Sequence, residues 1–394
     1  MSVTSNPPKT FGMERQVGIY MAGLQGQRPA LPIAVEALEE LARERLGPEA
    51  YGYVAGGAGG GDTMRANLEA FRRWRIVPRM LRNVAERDLH TRVLGLDLPA
   101  PLMLAPIGVQ SIVHDEAELA AARAAASLGV PLILSTAASH TLEEVAAAMG
   151  DAPRLFQLYW GRNPELTASL LSRAERAGYS AVVVTLDTGL LGWREQDIAQ
   201  AYLPFLQGQG LANYVSDPVF RAALSAPPEE GLFGAVSYFL SVFSNPTLTW
   251  DDLAFLRTHT CLPIVLKGIL HPDDAAEAVE RGMDGVLVSN HGGRQVDGAI
   301  AALDALPGVV AAVNGRVPVL FDSGIRRGAD ALKAVALGAT AVLLGRPFIY
   351  GLALGGEQGV RAVVDNFLAD LDLALALSGH TSFAQLSAAD LVHA

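Results

Sequence analysis

Eight short apolar runs between residues 102 and 344 constrain the fold of this chain more than any other feature of its sequence. Each run is followed by a polar or glycine-containing loop and then by a segment rich in Ala, Glu and Arg. Runs that are apolar throughout are typical of parallel strands buried on both faces. The runs are LMLAP (102–106), LILST (132–136), RLFQLY (154–159), AVVVTL (181–186), PIVLK (263–267), GVLVS (285–289), PVLFD (318–322) and AVLL (341–344).

The segments between the runs are predicted to be helices on their own evidence. Residues 115–129 begin with acidic residues and end at Gly129, and the segments 272–282 and 327–338 also end at a glycine. Strands and helices alternating eight times predict an α/β fold, the (β/α)8 TIM barrel. An open doubly wound sheet also accommodates eight parallel strands, but no G-x-G-x-x-G motif follows the first run.

Two parts of the chain lie outside this repeat. Residues 1–100 precede the first run and are predicted to form an N-terminal helical cap or to help the chain associate. About 75 residues separate the fourth and fifth runs, so this loop carries an insertion, residues 196–250, whose aromatic, Pro- and Gly-containing sequence indicates a lid. An oligomer contact is an alternative role. We therefore expect one domain over 1–394, with the barrel at 101–350 and C-terminal helices at 351–394.

Composition and charge exclude several classes of protein. Half of the 394 residues are apolar and 18% are charged, so the chain can bury a large core. The net charge is −11 and no cluster of Lys or Arg stands out, which argues against a nucleic-acid-binding protein. Residues 1–16 contain no apolar leader, and no stretch of about 18 uncharged apolar residues occurs, so neither secretion nor membrane insertion is expected.

The cysteine and histidine content adds three expectations. Cys261 is the single cysteine, which rules out an internal disulfide and fits a reducing, cytoplasmic compartment. Because Cys261 lies at the entrance to an apolar run, its thiol is expected to be buried and inert. No H-E-x-x-H motif and no Cys/His cluster occurs, so no metal site is expected.

Every apolar run is followed by polar or glycine residues. Each of them alone is explained by hydrogen bonds within its own loop, but in a (β/α)8 barrel the carboxyl ends of all strands meet at the catalytic face. Polar or glycine residues at the carboxyl ends of all eight strands together therefore predict one pocket. In chain order the candidate residues are Pro106, Ile107, Gly108, Ser135, Gln157, Tyr159, Thr185, Asp187, Arg194, Lys267, Ser289, His291, Arg294, Asp322, Ser323, Gly324, Arg326, Gly345 and Arg346.

The loops after the seventh and eighth runs predict a site for a phosphorylated ligand. The sequences DSGIR (322–326) and GRP (345–347) follow the seventh and eighth runs, where barrels commonly bind phosphate through backbone N–H groups. Gly324 and Gly345 allow the backbone to approach an oxyanion, and the arginine of either loop supplies positive charge. Asp322 is placed to accept hydrogen bonds from hydroxyl groups of the same ligand.

The charged residues that follow the fourth, fifth and sixth runs predict a site for a small acid. Arg194 and Arg294 offer two guanidinium groups that suit a carboxylate. His291 is then the candidate base, and Asp187 is expected to hold its ring in the required tautomer. Lys267 is expected to stabilise negative charge that develops on the phosphorylated ligand.

The sequences around these residues resemble the family of FMN-dependent L-2-hydroxy acid oxidases and dehydrogenases. The resemblance covers nearly the whole chain from about residue 30 onward, and its combination of motifs is highly specific. The matching motifs are YGYVAGGAG (51–59), APIG (105–108), FQLY (156–159), TLDTGLLGWRE (185–195), SNHGGRQVDGA (289–299) and DSGIRRGADALKAVALGA (322–339).

This resemblance implies a cofactor and a role for each candidate residue. The phosphorylated ligand is expected to be FMN, held by the loops at 322–326 and 345–346. The substrate is expected to be a small L-2-hydroxy acid that loses a proton to His291, with its carboxylate on Arg194 and Arg294. The remaining expected contacts are Gln157 and Thr185 at the edge of the flavin ring, Ser135 near N5 and O4, Lys267 near N1 and O2, and Tyr53 and Tyr159 beside the substrate.

Within the family, the strongest resemblance is to the lactate 2-monooxygenases. It is carried by PFLQGQGLANYVSDPVF (204–220) and by Gly108, where many oxidases of the family have alanine. It implies that L-lactate and O2 are converted to acetate, CO2 and water, in a homo-oligomer of four or more subunits. Alternatives are an oxidase that releases the 2-oxo acid and H2O2, a dehydrogenase with another acceptor and, from a different class, a non-redox phosphate-binding barrel.

Overall fold

The structure, a computed structural model, describes residues 11–394, so part of the predicted leaderless N-terminus lies outside the described residues. Four helices and three short strands precede the barrel. The helices are α1 (Phe11–Gly23), α2 (Val35–Arg45), α3 (Pro48–Ala55) and α4 (Asp62–Arg73). The strands are β1 (Trp74–Ile76), β2 (Thr91–Val93) and β3 (Leu96–Leu98), of which β2 and β3 form an antiparallel hairpin.

The eight apolar runs form a closed parallel barrel, which confirms the predicted TIM-barrel fold. Neighbouring strands pair in sequence order, and the last strand closes the barrel on the first. The strands are β4 (Leu102–Leu104), β5 (Leu132–Ser135), β6 (Arg154–Tyr159), β7 (Val182–Thr185), β8 (Ile264–Ile269), β9 (Gly285–Val288), β10 (Val319–Phe321) and β11 (Ala341–Leu344).

One apolar residue from each barrel strand points into the barrel interior and is at most 1% exposed. The neighbouring residues along each strand pack outward against the helices, so both faces of each strand are buried. This double burial explains why the runs are apolar throughout and do not alternate with polar residues. The interior residues are Met103, Ile133, Leu155, Val183, Val265, Leu287, Leu320 and Leu343.

Helices follow the first three barrel strands in the predicted order. They are α5 (Ala117–Leu128), α6 (Leu142–Met149) and α7 (Pro164–Arg176), and a short 3-10 turn at Gln110–Ile112 precedes α5. The predicted end of α5 at Gly129 is confirmed, since this glycine has a φ of +66° and caps the helix. Helix α6 begins with a capping box between Thr141 and Glu144.

The segment between β7 and β8 is folded into short helices. They are α8 (Glu195–Ala199), a 3-10 turn at Pro204–Gln207, α9 (Ala212–Val215), α10 (Pro218–Ala222), α11 (Leu232–Phe243) and a 3-10 turn at Trp250–Asp252. The buried amide of Asn213 donates to the carbonyls of Ser135 and Thr136 and accepts the N–H of Leu142 at 2.8 Å. The insertion is therefore fixed to the loop that follows β5.

The remaining helices complete the outer ring. They are α12 (Leu253–His259), α13 (Pro272–Glu280), α14 (Ala302–Val313), α15 (Gly328–Ala336) and α16 (Arg346–Leu377), and α16 is interrupted by non-helical residues at Gly355 and Gly356. Residues 351–394 contain the rest of α16, 3-10 turns at Phe383–Gln385 and Ala388–Asp390, and β12 (Leu391–His393), which pairs with β1.

Two further observations concern the surface and the membrane. Cys261 is exposed, so the prediction of a buried thiol is wrong. The residue precedes the first residue of β8 by three positions, and its N–H donates to Glu175 at 2.7 Å in the turn before the buried strand. No helix within residues 11–394 is long and apolar enough to cross a membrane.

Candidate active site

One cavity lies at the carboxyl ends of the barrel strands, where the sequence predicts the pocket. Fifteen of the twenty candidate residues, Tyr53 included, line it. They are Tyr53, Pro106, Ile107, Gly108, Tyr159, Arg194, Lys267, His291, Arg294, Asp322, Ser323, Gly324, Arg326, Gly345 and Arg346.

The other five candidates stand behind the cavity wall. Ser135, Gln157 and Thr185 form a buried hydrogen-bonded row, in which Ser135 donates to Gln157 Oε1 at 3.0 Å and Gln157 Nε2 donates to Thr185 at 2.9 Å. Asp187 lies behind His291, and the hydroxyl of Ser289 accepts the N–H of His291 at 3.0 Å. Asp187 and Ser289 thus contact His291, which faces the cavity, whereas Ser135, Gln157 and Thr185 hydrogen-bond to one another.

Strand register fixes part of this arrangement. Tyr159, Thr185 and Lys267 occupy matching positions at the ends of β6, β7 and β8. Neighbouring parallel strands lie about 4.8 Å apart, so residues in register are held side by side by the backbone ladder. The order of these groups around the cavity therefore follows from the strand pairing.

His291 is held by Asp187 at the edge of the cavity. His291 has a φ of +59°, and its Nδ1 lies 2.8 Å from Asp187 Oδ1. Lys267 Nζ lies 3.8 Å from Asp187 Oδ2 and 3.9 Å from Asp322 Oδ2. Because Nδ1 is engaged by the carboxylate, Nε2 is the ring nitrogen left to accept a proton.

Electrostatics favour a neutral imidazole beside an ionised carboxylate. Desolvation lowers the pKa of His291, and the charge of Asp187 opposes this only in part. Burial alone raises the pKa of Asp187, but the positive charge of Lys267 and the contact with His291 outweigh it and keep that pKa below its usual value. The pair is therefore poised to accept a proton near neutral pH.

Arg194 and Arg294 both line the cavity and contact each other. Arg194 is 6% exposed and donates to the carbonyl of Arg294 at 3.2 Å, while Asp197 lies 3.9 Å from its guanidinium. Desolvation and the charge of Arg194 lower the pKa of Arg294 to about 9. Two guanidinium groups withdrawn from water and close to each other favour binding of an anion between them.

Comparison with known proteins identifies the family. The family model described as FMN-dependent dehydrogenase matches residues 42–393. An L-lactate oxidase from Lysinibacillus sphaericus is 46% identical over 95% of this chain and 96% of its own length, and 2-hydroxyacid oxidase 1 from Homo sapiens is 43% identical over 88% and 93%. A crystal structure of mandelate oxidase superposes with a TM-score of 0.81 at 38% identity, covering 92% of this chain and 98% of that one.

This chain belongs to the FMN-dependent 2-hydroxy acid oxidoreductases. The family expected from the sequence motifs is thereby confirmed, and so is FMN as the cofactor. The non-redox phosphate-binding barrel is no longer a candidate, since the family model covers the whole barrel and its cofactor is a flavin.

The loops after β10 and β11 fit the phosphate group of this flavin. The backbone N–H groups of Gly324, Ile325 and Gly345 donate to no protein acceptor in the part of the chain from residue 11 onward. Gly345 also stands at the N-terminus of α16, where free N–H groups favour an anion. Arg326 and Arg346 supply positive charge beside them. This donor set matches what a phosphate monoester requires.

Arg346 also donates hydrogen bonds to backbone carbonyls around the cavity. Its guanidinium donates to the carbonyls of Val54, Gly56 and Gly292 at 2.8–3.2 Å. Arg294 also donates to Gly56, at 2.9 Å. The two arginines thus tie the carboxyl end of α3, and with it Tyr53, to the cavity.

Several residues that line the cavity or contact its lining were not predicted from the sequence. Gln295 accepts a hydrogen bond from Arg194 at 3.0 Å and donates to the carbonyl of Leu190, so it orients one of the two guanidinium groups. Its only signal was its place in the motif SNHGGRQ. Apolar side chains form the remaining wall, and those after β7 lie in a segment without a repeating pattern. They are Val54, Ala105, Ala137, Leu190, Leu191, Phe205, Phe243, Ile325 and Leu343.

Proposed function

We propose that this enzyme oxidises a short L-2-hydroxy acid, with L-lactate as the preferred substrate and O2 as the electron acceptor. The observation that carries the proposal is that one cavity combines two neighbouring guanidinium groups, a neutral histidine held by an aspartate, and an apolar wall. A 2-hydroxy acid presents the matching groups, namely a carboxylate, a hydroxyl-bearing carbon and a small side chain.

Arg194 and Arg294 would bind the substrate carboxylate. The guanidinium of Arg194 donates to the backbone carbonyl of Arg294 and to Gln295, which fixes its orientation, and its charge acts on the guanidinium of Arg294. The guanidinium of Arg294 lies over the ring of Tyr53, 5.1 Å from its centroid, and burial raises the pKa of Tyr159, so the hydroxyl of Tyr159 is a neutral donor. We assign these four residues to substrate binding.

His291 would take the proton from the substrate, with Asp187 stabilising the imidazolium that results. Lys267 contributes positive charge between Asp187 and Asp322, where negative charge on the cofactor has to be stabilised. Bound FMN supplies the acceptor for the two electrons.

The proposed cofactor contacts surround this centre. The phosphate would be bound by the loops after β10 and β11, and the ring would lie across the loops after β4 to β7. We assign to FMN the residues Pro106, Ile107, Gly108, Ser135, Gln157, Thr185, Lys267, Ser289, Asp322, Ser323, Gly324, Arg326, Gly345 and Arg346.

The insertion over residues 196–250 is proposed to act as a lid that retains the first products. Gly210 of this insertion packs so closely on the loops after β4 and β5 that a Cβ there would lie 2.7 Å from Val109. Gly108 makes a similar approach, since its Cβ would lie 2.8 Å from the carbonyl of Ala137. The two features that resemble lactate 2-monooxygenases therefore meet at one packed junction beside the cavity.

Retention of pyruvate and hydrogen peroxide in the cavity would determine which product leaves the enzyme. Oxidation of L-lactate by O2 yields pyruvate and hydrogen peroxide. If both stay in the cavity, peroxide decarboxylates pyruvate to acetate, CO2 and water, so that one lactate and one O2 are consumed overall. We propose this monooxygenase outcome.

A second candidate is an oxidase that releases pyruvate and peroxide. It is favoured by the 46% identity to a protein named L-lactate oxidase over nearly the full length of both chains. The two candidates share the substrate, the acceptor and the cavity, and they differ only in the product that leaves.

Product analysis distinguishes the two outcomes. The purified yellow protein is reduced anaerobically with L-lactate, reoxidised in air, and assayed for acetate, pyruvate and peroxide. We expect the flavin to bleach and acetate to dominate. A full yield of pyruvate and peroxide would establish the oxidase. Failure of L-lactate, L-mandelate and glycolate alike to bleach the flavin would refute the substrate class.

We also propose that the enzyme is a homo-oligomer. Helix α1 and the residues after it expose large apolar side chains, with Tyr20 66% and Leu24 80% exposed. Side chains of this kind are commonly covered by a second subunit. Neither residue lines the active-site cavity, so this proposal is independent of the catalytic one.

A further inference from the structure

A second cavity of about 260 Å³ lies beside the active-site cavity. It is lined by the ends of β6 and β7, the loop after β7, the end of the insertion and the first residue of α12. Its walls are aromatic or aliphatic with a few neutral polar groups, and none of the residues within 11–394 that line it is charged. The principal apolar residues are Trp160, Leu186, Leu248, Trp250 and Leu253.

This cavity differs chemically from its neighbour. The active-site cavity contains the charges of Arg194, Arg294 and Lys267, whereas the second cavity has none. Transfer of a carboxylate into uncharged surroundings is costly, but an aryl or alkyl group gains from burial there. The second cavity is therefore suited to an apolar group and not to a second acid.

Three residues line both cavities and form the partition between them: Tyr159, Thr188 and Phe243. Tyr159 is assigned to substrate binding, and Thr188 is a short side chain on the loop after β7. Phe243 is the last residue of α11, and its ring lies 5.2 Å from that of Tyr159 and 4.8 Å from that of Phe239. Phe243 is thus the bulky, chemically inert part of the partition.

We propose that Phe243 is a specificity-determining residue that limits the length of the substrate side chain by closing the second cavity. With Phe243 in place, a methyl group fits against the wall formed by the insertion. Without its ring the two cavities join, and an aryl side chain extends between Trp160 and Trp250 while the carboxylate remains on the two arginines. This proposal rests on the proposed function.

The packing of Phe243 explains why the partition is held in place. Its ring also lies 5.7 Å from that of Phe205, which itself lines the active-site cavity. The rings of Phe205 and Phe239 are 5.2 Å apart, so the three phenylalanines form one aromatic cluster within the insertion. Aromatic clusters of this kind restrict the rotamers of each member. The partition is therefore rigid and depends on contacts within the insertion.

The test compares kcat/KM for L-lactate and L-mandelate in the wild-type holoenzyme and in Phe243→Ala. We expect the ratio of mandelate to lactate to rise about tenfold or more, the scale on which an apolar pocket discriminates between side chains. The control is Phe233→Ala, on the same helix but 85% exposed, which should leave the ratio unchanged. Phe243→Leu, which keeps more of the packing, should give an intermediate ratio.

The outcomes separate this proposal from the proposed function. If the wild type oxidises L-lactate and both Phe243 variants, with FMN bound, keep the wild-type ratio, the partition has no role in specificity. Parallel loss of activity on both substrates in Phe243→Ala and Phe243→Leu would likewise assign Phe243 a structural role only. If the wild type oxidises no 2-hydroxy acid, the proposed function itself fails, whatever the variants do.

Discussion

The two halves of the active-site cavity are built in different ways. The charged half comes from barrel strand ends, where backbone pairing in register holds Tyr159 next to Thr185 and Thr185 next to Lys267. Part of the apolar half comes from the insertion, which contributes Phe205 and Phe243, and their rings pack against each other 5.7 Å apart. Backbone ladders are hard to alter by substitution, whereas packed side chains are altered one at a time.

This difference suggests a division of labour. The barrel fixes the positions of the groups that carry charge and protons, and the insertion fixes the volume and closure around the substrate. Substitutions in the first half should change rates by orders of magnitude while leaving the choice of substrate unaltered. Substitutions in the second half should change selectivity or stability with smaller losses in rate.

The largest effect is expected for His291→Gln. This change keeps the size and polarity of the side chain but removes the base, so flavin reduction by L-lactate should slow by about 10²–10⁴-fold. Anaerobic stopped-flow absorbance measures the rate, and the flavin spectrum of the purified variant verifies that FMN remains bound. A variant with FMN bound and a reduction rate near that of the wild type would exclude His291 as the base.

A smaller effect is expected for Arg194→Ala. Loss of one partner of a buried charged contact costs about 2 kcal/mol or more, which corresponds to about 30-fold in kcat/KM. The loss should appear mainly in KM, because the carboxylate is bound in the ground state as well. Arg194→Lys serves as the matched control, since it keeps the charge and loses the planar fork. An unchanged KM in Arg194→Ala would place the carboxylate elsewhere.

The difference between the barrel and the insertion explains which half of the cavity can be predicted from the sequence. The barrel strands are buried on both faces, so their runs are visible in the sequence, and the pairing of Asp187 with His291 follows from their places after β7 and β9. Strand order and strand ends are local features of the chain. Once the barrel is recognised, the fold brings all eight strand ends together, and the charged half of the cavity can be inferred.

The apolar half could not be predicted residue by residue. Phe205 and Phe243 are 38 positions apart in a segment without a regular period, and their contact arises only when the insertion folds. The exposure of Cys261 was missed for a related reason, because the buried strand begins three residues after it. Gln295 was missed because its role depends on Arg194, a residue 101 positions away.

The pH dependence of kcat/KM tests the protonation state of His291 in the charged half of the cavity. The imidazole of His291 must be neutral to accept a proton, and desolvation lowers the pKa of this residue below 6.5. We therefore expect kcat/KM to be constant above this pKa and to fall about tenfold per pH unit below it. In Asp187→Asn the carboxylate that raises the pKa of His291 is lost, so the fall should begin at a still lower pH.

The constant value of kcat/KM reached above the pKa of His291 should also be lower in Asp187→Asn, because the carboxylate no longer stabilises the imidazolium. Profiles of kcat/KM against pH for both proteins, corrected for FMN content, test the assignment. A wild-type profile whose acid limb lies above pH 6.5, or a variant profile shifted to higher pH, would contradict it.

The smallest effect on rate is expected for Asn213→Ala, which acts on the second half alone. This change leaves the N–H of Leu142 and the carbonyls of Ser135 and Thr136 without their partner. The free energy of unfolding should fall by about 1–3 kcal/mol, measured by denaturant unfolding of the holoenzyme. Gln207→Ala, at an exposed position of the same insertion, is the control and should have no effect.

The product ratio of Asn213→Ala connects this anchor to the proposed lid. Asn213 does not line the active-site cavity, so the rate of flavin reduction should stay within a few-fold of the wild type. If the insertion retains pyruvate and peroxide, a loosened anchor should lower the ratio of acetate to pyruvate. A lower stability with an unchanged ratio would show that Asn213 supports the fold without contributing to retention, and the insertion would then act only as the apolar wall of the cavity.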